Sequence, residues 1–311
     1  MLPRGVLVGH HSDRTAWTGC TVVLLPEGTV AAAEVRGGGP GTRESELLSP
    51  AANATGVHAV LLTGGSAFGL GAADGVMAHL AERGVGYATP GGLVPLVFAA
   101  VVYDLVLGDG SVRPDAAAAR AACEAAGAQV ERGSVGVGTG CTVGKLRGPG
   151  GWTKGGFGMA TARAGDATVT ALAAVNALGD VLDADGSVLA GVWTGDGYTR
   201  TTDLLREGEI PRPAVPEATT LVVLVTDARL DKRGAWLVAR AGSAGVARAV
   251  APSATAHDGD LVVCAATGEV EVDPFLVSAL APEVIAEAIR DGVRSATPAP
   301  GCPTASQRTS R

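Results

Sequence analysis

Apolar residues fall into short runs rich in valine, leucine and alanine, closed by glycine, proline, aspartate or threonine. The runs GCTVVLLP, TVAAAEVRG, VHAVLLTGG, SVGVGTG, TVTALAAVN, SVLAGVW, TTLVVLVTD and DLVVCAATG have the length and flanks of β-strands. Other stretches have helical spacing. GAADGVMAHLAERG sets Val76 and Leu80 four apart and ends on Gly84, a natural C-terminal cap. RPDAAAARAACEAAG begins with Pro114 and ends with Gly127, the polarity expected of a helix. LDKRGAWLVARAGSAGVARAV predicts a face of Leu230, Leu237, Ala241 and Val250, weakened by Gly234, Gly242 and Gly245. APEVIAEAIRDGVRSA predicts a helix opening at Pro282, with Val284, Ile285, Ile289 and Val293 on one side.

Strand follows strand as often as helix, so regular βαβ alternation fails and mixed sheets covered by helices, an α+β layering, fit better. Residues 194–217 are polar, charged and proline-bearing, and predict a long exposed loop. The end, TPAPGCPTASQRTSR, has the composition of a disordered tail, so one domain over 1–297 and a tail over 298–311 are expected.

Composition narrows the function. The chain has 311 residues and is 47% hydrophobic but only 4% aromatic, so its core is built from small aliphatic side chains. A net charge of -7 argues against a nucleic-acid partner. The longest apolar run, GLVPLVFAAVVYDLVLG, is broken by Pro95 and Asp104, and no run matches a membrane span. The first residues lack a signal-peptide core. Cys20, Cys123, Cys141, Cys264 and Cys302 have neither CxxC pairing nor regular spacing and read as small buried hydrophobes of a reducing, cytoplasmic compartment.

Candidate chemistry is sparse. In GGSAFGLGAADGV the spacing is Gly69-x-Gly71 with the next glycine at Gly75, so the dinucleotide GxGxxG register fails. His10, His11, His58, His79 and His257 form no HxH or HxxxH pair that would hold a metal. No GxSxG elbow is present, although a spatial triad leaves no sequence trace. No cofactor or metal is implied. One remaining design is a threonine or serine activated by its own α-amine, which requires a cut just before it. Its unperturbed pKa near 8 suits that amine to take a proton at neutral pH. A proline-rich segment running into TTLVVLVTD has the form of such a precursor, while threonine at a strand start is equally ordinary.

Nine blocks carry a resemblance: VGHHSD, RGGGPGTRESELL, LTGGSAFGLGAADGV, VVYDLVLGDGSVRPDA, GVGTGCTVGKL, TKGGFGMAT, VNALGDVLD, TTLVVLVTDARLDK and HDGD. Together, over roughly residues 5–270, they resemble the self-processing L-aminopeptidase/D-esterase family, which includes β-peptidyl aminopeptidases and the nylon-oligomer endo-hydrolase. The resemblance implies a four-layer αββα sandwich of the N-terminal-nucleophile hydrolases. It implies a cut at Ala218–Thr219, giving an α chain 1–218 and a β chain 219–311, and assembly into a homo-oligomer, commonly a tetramer. Thr219 would be the nucleophile of an aminopeptidase or amidohydrolase acting on short peptides, amino-acid amides or esters, or ω-amino-acid oligomers. By the same resemblance Tyr103 helps hold the substrate carbonyl and Asn176 donates to the oxyanion. Lys154 is the cation near the nucleophile, and Asp258 and Asp260 serve its hydrogen-bond network.

One position departs from the pattern. Many relatives carry Asn, and some Gly, where this chain has Ala218. Alanine enters the left-handed region at a cost of about 1–2 kcal/mol, enough to slow a strained cut by roughly one order of magnitude. An uncleaved binding protein on the same fold is therefore the alternative reading.

Overall fold

A computed structural model describes residues 1–210 and 218–309. Ten strands build its two large sheets. In chain order they are β1 (Leu7–Asp13), β2 (Thr18–Leu24), β3 (Val30–Val35), β4 (Thr42–Arg43), β5 (Ala59–Thr63), β6 (Val97–Val101), β7 (Gly156–Ala164), β8 (Ala167–Asn176), β9 (Thr219–Ala228) and β10 (Leu261–Val270). The first sheet has the order β1-β2-β5-β6-β4 and the second β7-β8-β9-β10-β3. Each is antiparallel except for one central parallel pair, β5 with β6 and β9 with β10. The helices are α1 (Ala73–Glu82), α2 (Ala116–Glu124), α3 (Thr201–Arg206), α4 (Lys232–Ala249), α5 (Pro274–Arg294) and α6 (Ala305–Thr309).

Strand alternation builds the layers. On β8, Leu172 and Ala174 point into a core shared with Val60, Leu62, Phe98 and Ala100 of the first sheet. Ala171, Ala173 and Val175 point the other way, onto Val238, Ala239, Ile285 and Ile289 of α4 and α5. The outer face of the first sheet packs Val22, Leu61 and Ala99 against Val76, Leu80, Ala119 and Ala122 of α1 and α2. The result is α1/α2, sheet, sheet, α4/α5. Both sheets are covered on both faces, which is why their central strands read as continuous apolar runs.

Several sequence expectations change. SVGVGTG forms a short 3₁₀ helix over Gly136–Thr139 instead of a strand. Gly136 there has φ 53°, and a Cβ on it would lie 2.2 Å from Thr21 Oγ1. The last long helix starts at Pro274, not Pro282, because the Asp273 side chain caps it by accepting from Phe275 N. Pro282 lies inside that helix. The glycines of α4 serve packing: a Cβ at Gly245 would sit 2.4 Å from the Pro282 carbonyl oxygen, so α5 can approach only a bare backbone. The buried face of α4 is Ala235, Val238, Ala239, Gly242, Gly245, Val246 and Ala249, while Leu237 faces solvent.

Residues 194–217, expected as a loop, include α3; positions 211–217 lie outside the described residues. The stretch expected as a disordered tail is ordered through α6. Ala299 and Cys302 exchange two backbone hydrogen bonds, Lys154 N donates to Pro303 O at 2.9 Å, and Cys302 buries itself against Trp152. Composition misleads here because a few buried anchors hold an otherwise polar segment.

Candidate active site

Thr219 opens β9 in the middle of the second sheet, opposite Asn176 at the end of β8. Only 5% of it is exposed. The residue before it forms an isolated parallel bridge with Asp258. Ala218 N donates to His257 O at 3.0 Å, and Gly259 N donates to the Ala218 carbonyl oxygen at 2.8 Å. The Thr219 hydroxyl donates to that same carbonyl oxygen at 2.6 Å. The hydroxyl therefore lies against the peptide group it would attack, and a backbone N–H is already aimed at the oxygen where negative charge would build.

Gly259 has little room to be anything else. A Cβ on it would lie 3.0 Å from both Thr219 Oγ1 and Gly39 O. The glycine-rich RGGGPG segment holds this loop from outside: Arg36 N and Gly37 N donate to Asp260 O, and Gly39 N donates to Asp258 O. A Cβ at Gly37 would sit 2.0 Å from Asp258 O, so this close approach requires glycine.

The two aspartates hold the strand start. Asp260 accepts from Thr220 N at 2.6 Å and from Ala254 N at 2.8 Å. Burial, then the charge of Asp258, raises its carboxyl above the usual range. Asp258 accepts from Thr255 N and Thr255 Oγ1 through one oxygen, and its other oxygen is buried without a hydrogen-bond partner. Asn176 is fully buried; its Oδ1 accepts from Thr142 N and its Nδ2 donates to Tyr103 O, both at 3.0 Å. That leaves one Nδ2 proton for another acceptor. Tyr103 is half-buried and joins this set through its backbone carbonyl.

A scan against protein-family models matches peptidase family S58 over residues 4–304. The chain belongs to peptidase family S58.

An uncharacterized aminopeptidase of Mycobacterium tuberculosis is 40% identical over 96% of this chain and 94% of its own length. A 6-aminohexanoate-oligomer endohydrolase of an Agromyces species is 29% identical over 86% of this chain and 74% of its own. Among solved structures, a Burkholderia β-aminopeptidase superposes with TM-score 0.71 and 24% identity, covering 95% of this chain and 85% of that one. The L-aminopeptidase D-Ala-esterase/amidase of Ochrobactrum anthropi, described as a variant of the Ntn hydrolase fold, superposes with TM-score 0.70 and 20% identity, over 94% and 84%. The expected αββα fold and hydrolase class of this S58 chain stand on these matches.

Two lysines, Lys145 and Lys154, lie fully inside this S58 chain. Lys154 spends its three ammonium protons on the carbonyls of Gly138, Cys141 and Gly155, at 2.8–3.0 Å. It fixes the loop that presents Thr142 to Asn176. Burial lowers it to about 8. Burial lowers Lys145 to about 7, a shift that the charges of Asp258 and Asp104 oppose. Asp104 is itself buried, accepting from Thr18 Oγ1 and Gly65 N at 2.7 Å each. A Cβ at Gly64 or Gly140 would lie 2.1 or 2.4 Å from its Oδ2. Sequence reading passed over Lys145 and Asp104. Lys145 stands in the quoted block GVGTGCTVGKL, where a lone lysine among glycine and apolar residues was the available signal.

Other candidates resolve differently. Cys264 is buried in the α4/α5 core and pushed by burial to about 12, so it is not a nucleophile. His10 is half-buried, bonded to Thr21 Oγ1 and lowered by desolvation to about 4. Among the described residues no group of His, Cys, Asp or Glu has the arrangement to hold a metal, and no helix is long and apolar enough to cross a membrane.

Proposed function

We propose that the chain is a self-processing N-terminal-threonine amidohydrolase, cut between Ala218 and Thr219. One observation carries this reading: the Ala218 carbonyl oxygen accepts from both Gly259 N–H and the Thr219 hydroxyl. Oγ1 adds to the Ala218 carbonyl carbon, and the Gly259 N–H stabilises the oxyanion. The C–N bond breaks, the Thr219 nitrogen takes a proton, and the Ala218 acyl group becomes an ester of the Thr219 hydroxyl. Water hydrolyses that ester, leaving a carboxylate on Ala218 and a free amine on Thr219.

Ala218 offers less resistance than its identity suggests. Its isolated parallel bridge to Asp258 is an extended pairing that calls for no left-handed conformation. That pairing supports a smaller penalty for alanine here and favours the cut enzyme over an uncut binding protein.

In the cut enzyme the amine takes the hydroxyl proton and Oγ1 attacks a substrate amide or ester. Gly259 N–H, released from Ala218, and the second Asn176 Nδ2 proton receive the oxyanion, with Tyr103 beside Asn176. The leaving amine takes the proton, and water completes turnover. While protonated, Lys145, which feels the charge of Asp258, joins Lys154 in disfavouring a second positive charge on the Thr219 amine, and Asp258 and Asp260 hold the start of its strand. Short peptides, amino-acid amides or esters and ω-amino-acid oligomers are the substrate class, consistent with the activities named for the aminopeptidase and endohydrolase relatives. A cytoplasmic homo-oligomer belongs to the same proposal, supported by five buried free thiols and by the family resemblance. Terminal sequencing of active protein tests the central claim: a second N-terminus at Thr219 is expected, and a sole start at Met1 in hydrolytically active material refutes it.

A further inference from the structure

We propose a second binding site, for a small carboxylate, between the C-terminal segment and Trp193. A cavity of about 400 Å3 there is lined by Gly150, Trp193, Gly301, Pro303, Gln307 and Arg308. None of these residues belongs to the Thr219 centre, so this inference does not depend on that threonine's chemistry.

Arg308 points to the ligand. It is only 6% exposed, yet among the described residues no carboxylate holds it. Its Nη2 donates to Trp152 O at 2.6 Å, and its guanidinium carbon lies 5.1 Å from the Trp193 ring centroid. Nε and Nη1 are buried without a hydrogen-bond partner, as is Nε1 of the neighbouring Trp152. All three are donors, since guanidinium and indole carry N–H groups and no acceptor. Buried donors left unmade are costly, most of all on a charged group. Gln307 adds to the imbalance. Its Oε1 accepts from Thr304 N at 3.1 Å, which leaves its amide nitrogen as the end available to a ligand.

Among the described residues the cavity therefore offers Arg308 no acceptor with negative charge. One guanidinium balances one charge, so a monocarboxylate fits and a phosphate dianion would bury an uncompensated charge. The Trp193 ring, already faced by Arg308, provides a wall for an apolar or aromatic body.

Titration calorimetry and tryptophan fluorescence of the purified full chain test this, with phenylacetate as probe, phenylacetamide as its neutral counterpart, and inorganic phosphate. Phenylacetate is expected to saturate one site. Phenylacetamide, and phenylacetate with Arg308→Gln, are expected to bind at least about tenfold more weakly, the worth of one hydrogen bond to a charged group. Thr219→Ala is expected to leave phenylacetate binding unchanged. The exposed Gln307→Glu variant places a carboxylate at the mouth without disturbing the buried arginine and is expected to weaken binding by a similar factor. No saturation, equal affinity for the amide, tighter binding of phosphate, loss of binding with Thr219→Ala, or undiminished binding in the folded Arg308→Gln or Gln307→Glu protein would each overturn the proposal.

Discussion

Gly259→Ala separates the proposed oxyanion donor from simple loop structure. The new methyl group would stand 3.0 Å from Thr219 Oγ1 and from Gly39 O, and 3.3 Å from Pro40 Cα. Two of these neighbours are backbone, so the relief must come from the Thr219 hydroxyl or from a shift of the 258–260 loop. Either movement weakens the arrangement in which Gly259 N reaches the Ala218 oxygen at 2.8 Å and the hydroxyl reaches it at 2.6 Å. Complete loss of one oxyanion donor costs about a hundredfold or more in rate, so partial loss sets an expected slowing of about ten- to a hundredfold. Overpacking itself costs about 1–3 kcal/mol, which a domain of this size tolerates. Gly39→Ala is the control. It sits on the facing loop, but its Cβ would come no nearer than 3.9 Å to Ala256 O or Asp258 O. Conversion of the single chain into two fragments, followed by mass spectrometry after synthesis, reads the rate. Wild-type speed in folded Gly259→Ala, or an equal slowing in Gly39→Ala, would refute the reasoning.

Other outcomes follow from the same geometry. Thr219→Ser keeps a hydroxyl and is expected to split, whereas the near-isosteric Thr219→Val should remain one polypeptide of 30.7 kDa; a cut Thr219→Val protein would place the nucleophile elsewhere. Lys145, held near 7 in the fold against its ordinary value of 10.5, binds fewer protons folded than unfolded between those values. It therefore destabilises the fold fully below pH about 7, and that cost disappears as pH rises toward 10.5. Urea unfolding across pH 7–10 should gain stability less steeply in Lys145→Met, and an unchanged slope would show that this lysine is not desolvated. Gly245→Ala would put a Cβ 2.4 Å from the Pro282 carbonyl oxygen and should cost about 1–3 kcal/mol in urea unfolding by forcing α4 from α5; a variant as stable as the wild type would refute that close crossing.

Strand identity was legible along the chain because a strand covered on both faces must be apolar throughout, as TVTALAAVN and TTLVVLVTD are. The place of Thr219 at a strand start was legible for the same reason, where polar chain gives way to a β-branched run. Local periodicity could not tell that SVGVGTG coils into a 3₁₀ turn. The constraint is a close approach of Thr21 to Gly136, two residues far apart in sequence. Nor could it place the start of α5, since Asp273 caps that helix well before the apolar stripe around Pro282. The site divides the same way. Asn176, Asp258 and Asp260 stand out beside strand ends, but the partners of a charge depend on what folding stacks around it. Lys154 and Lys145 look alike in sequence; only packing gives one three carbonyls and sets the other among Asp104 and Asp258. The order of the last residues is likewise a tertiary decision. Cys302 and Arg308 gain burial and a carbonyl from Trp152, some 150 residues away, and no local signal in a proline- and serine-rich stretch encodes that contact.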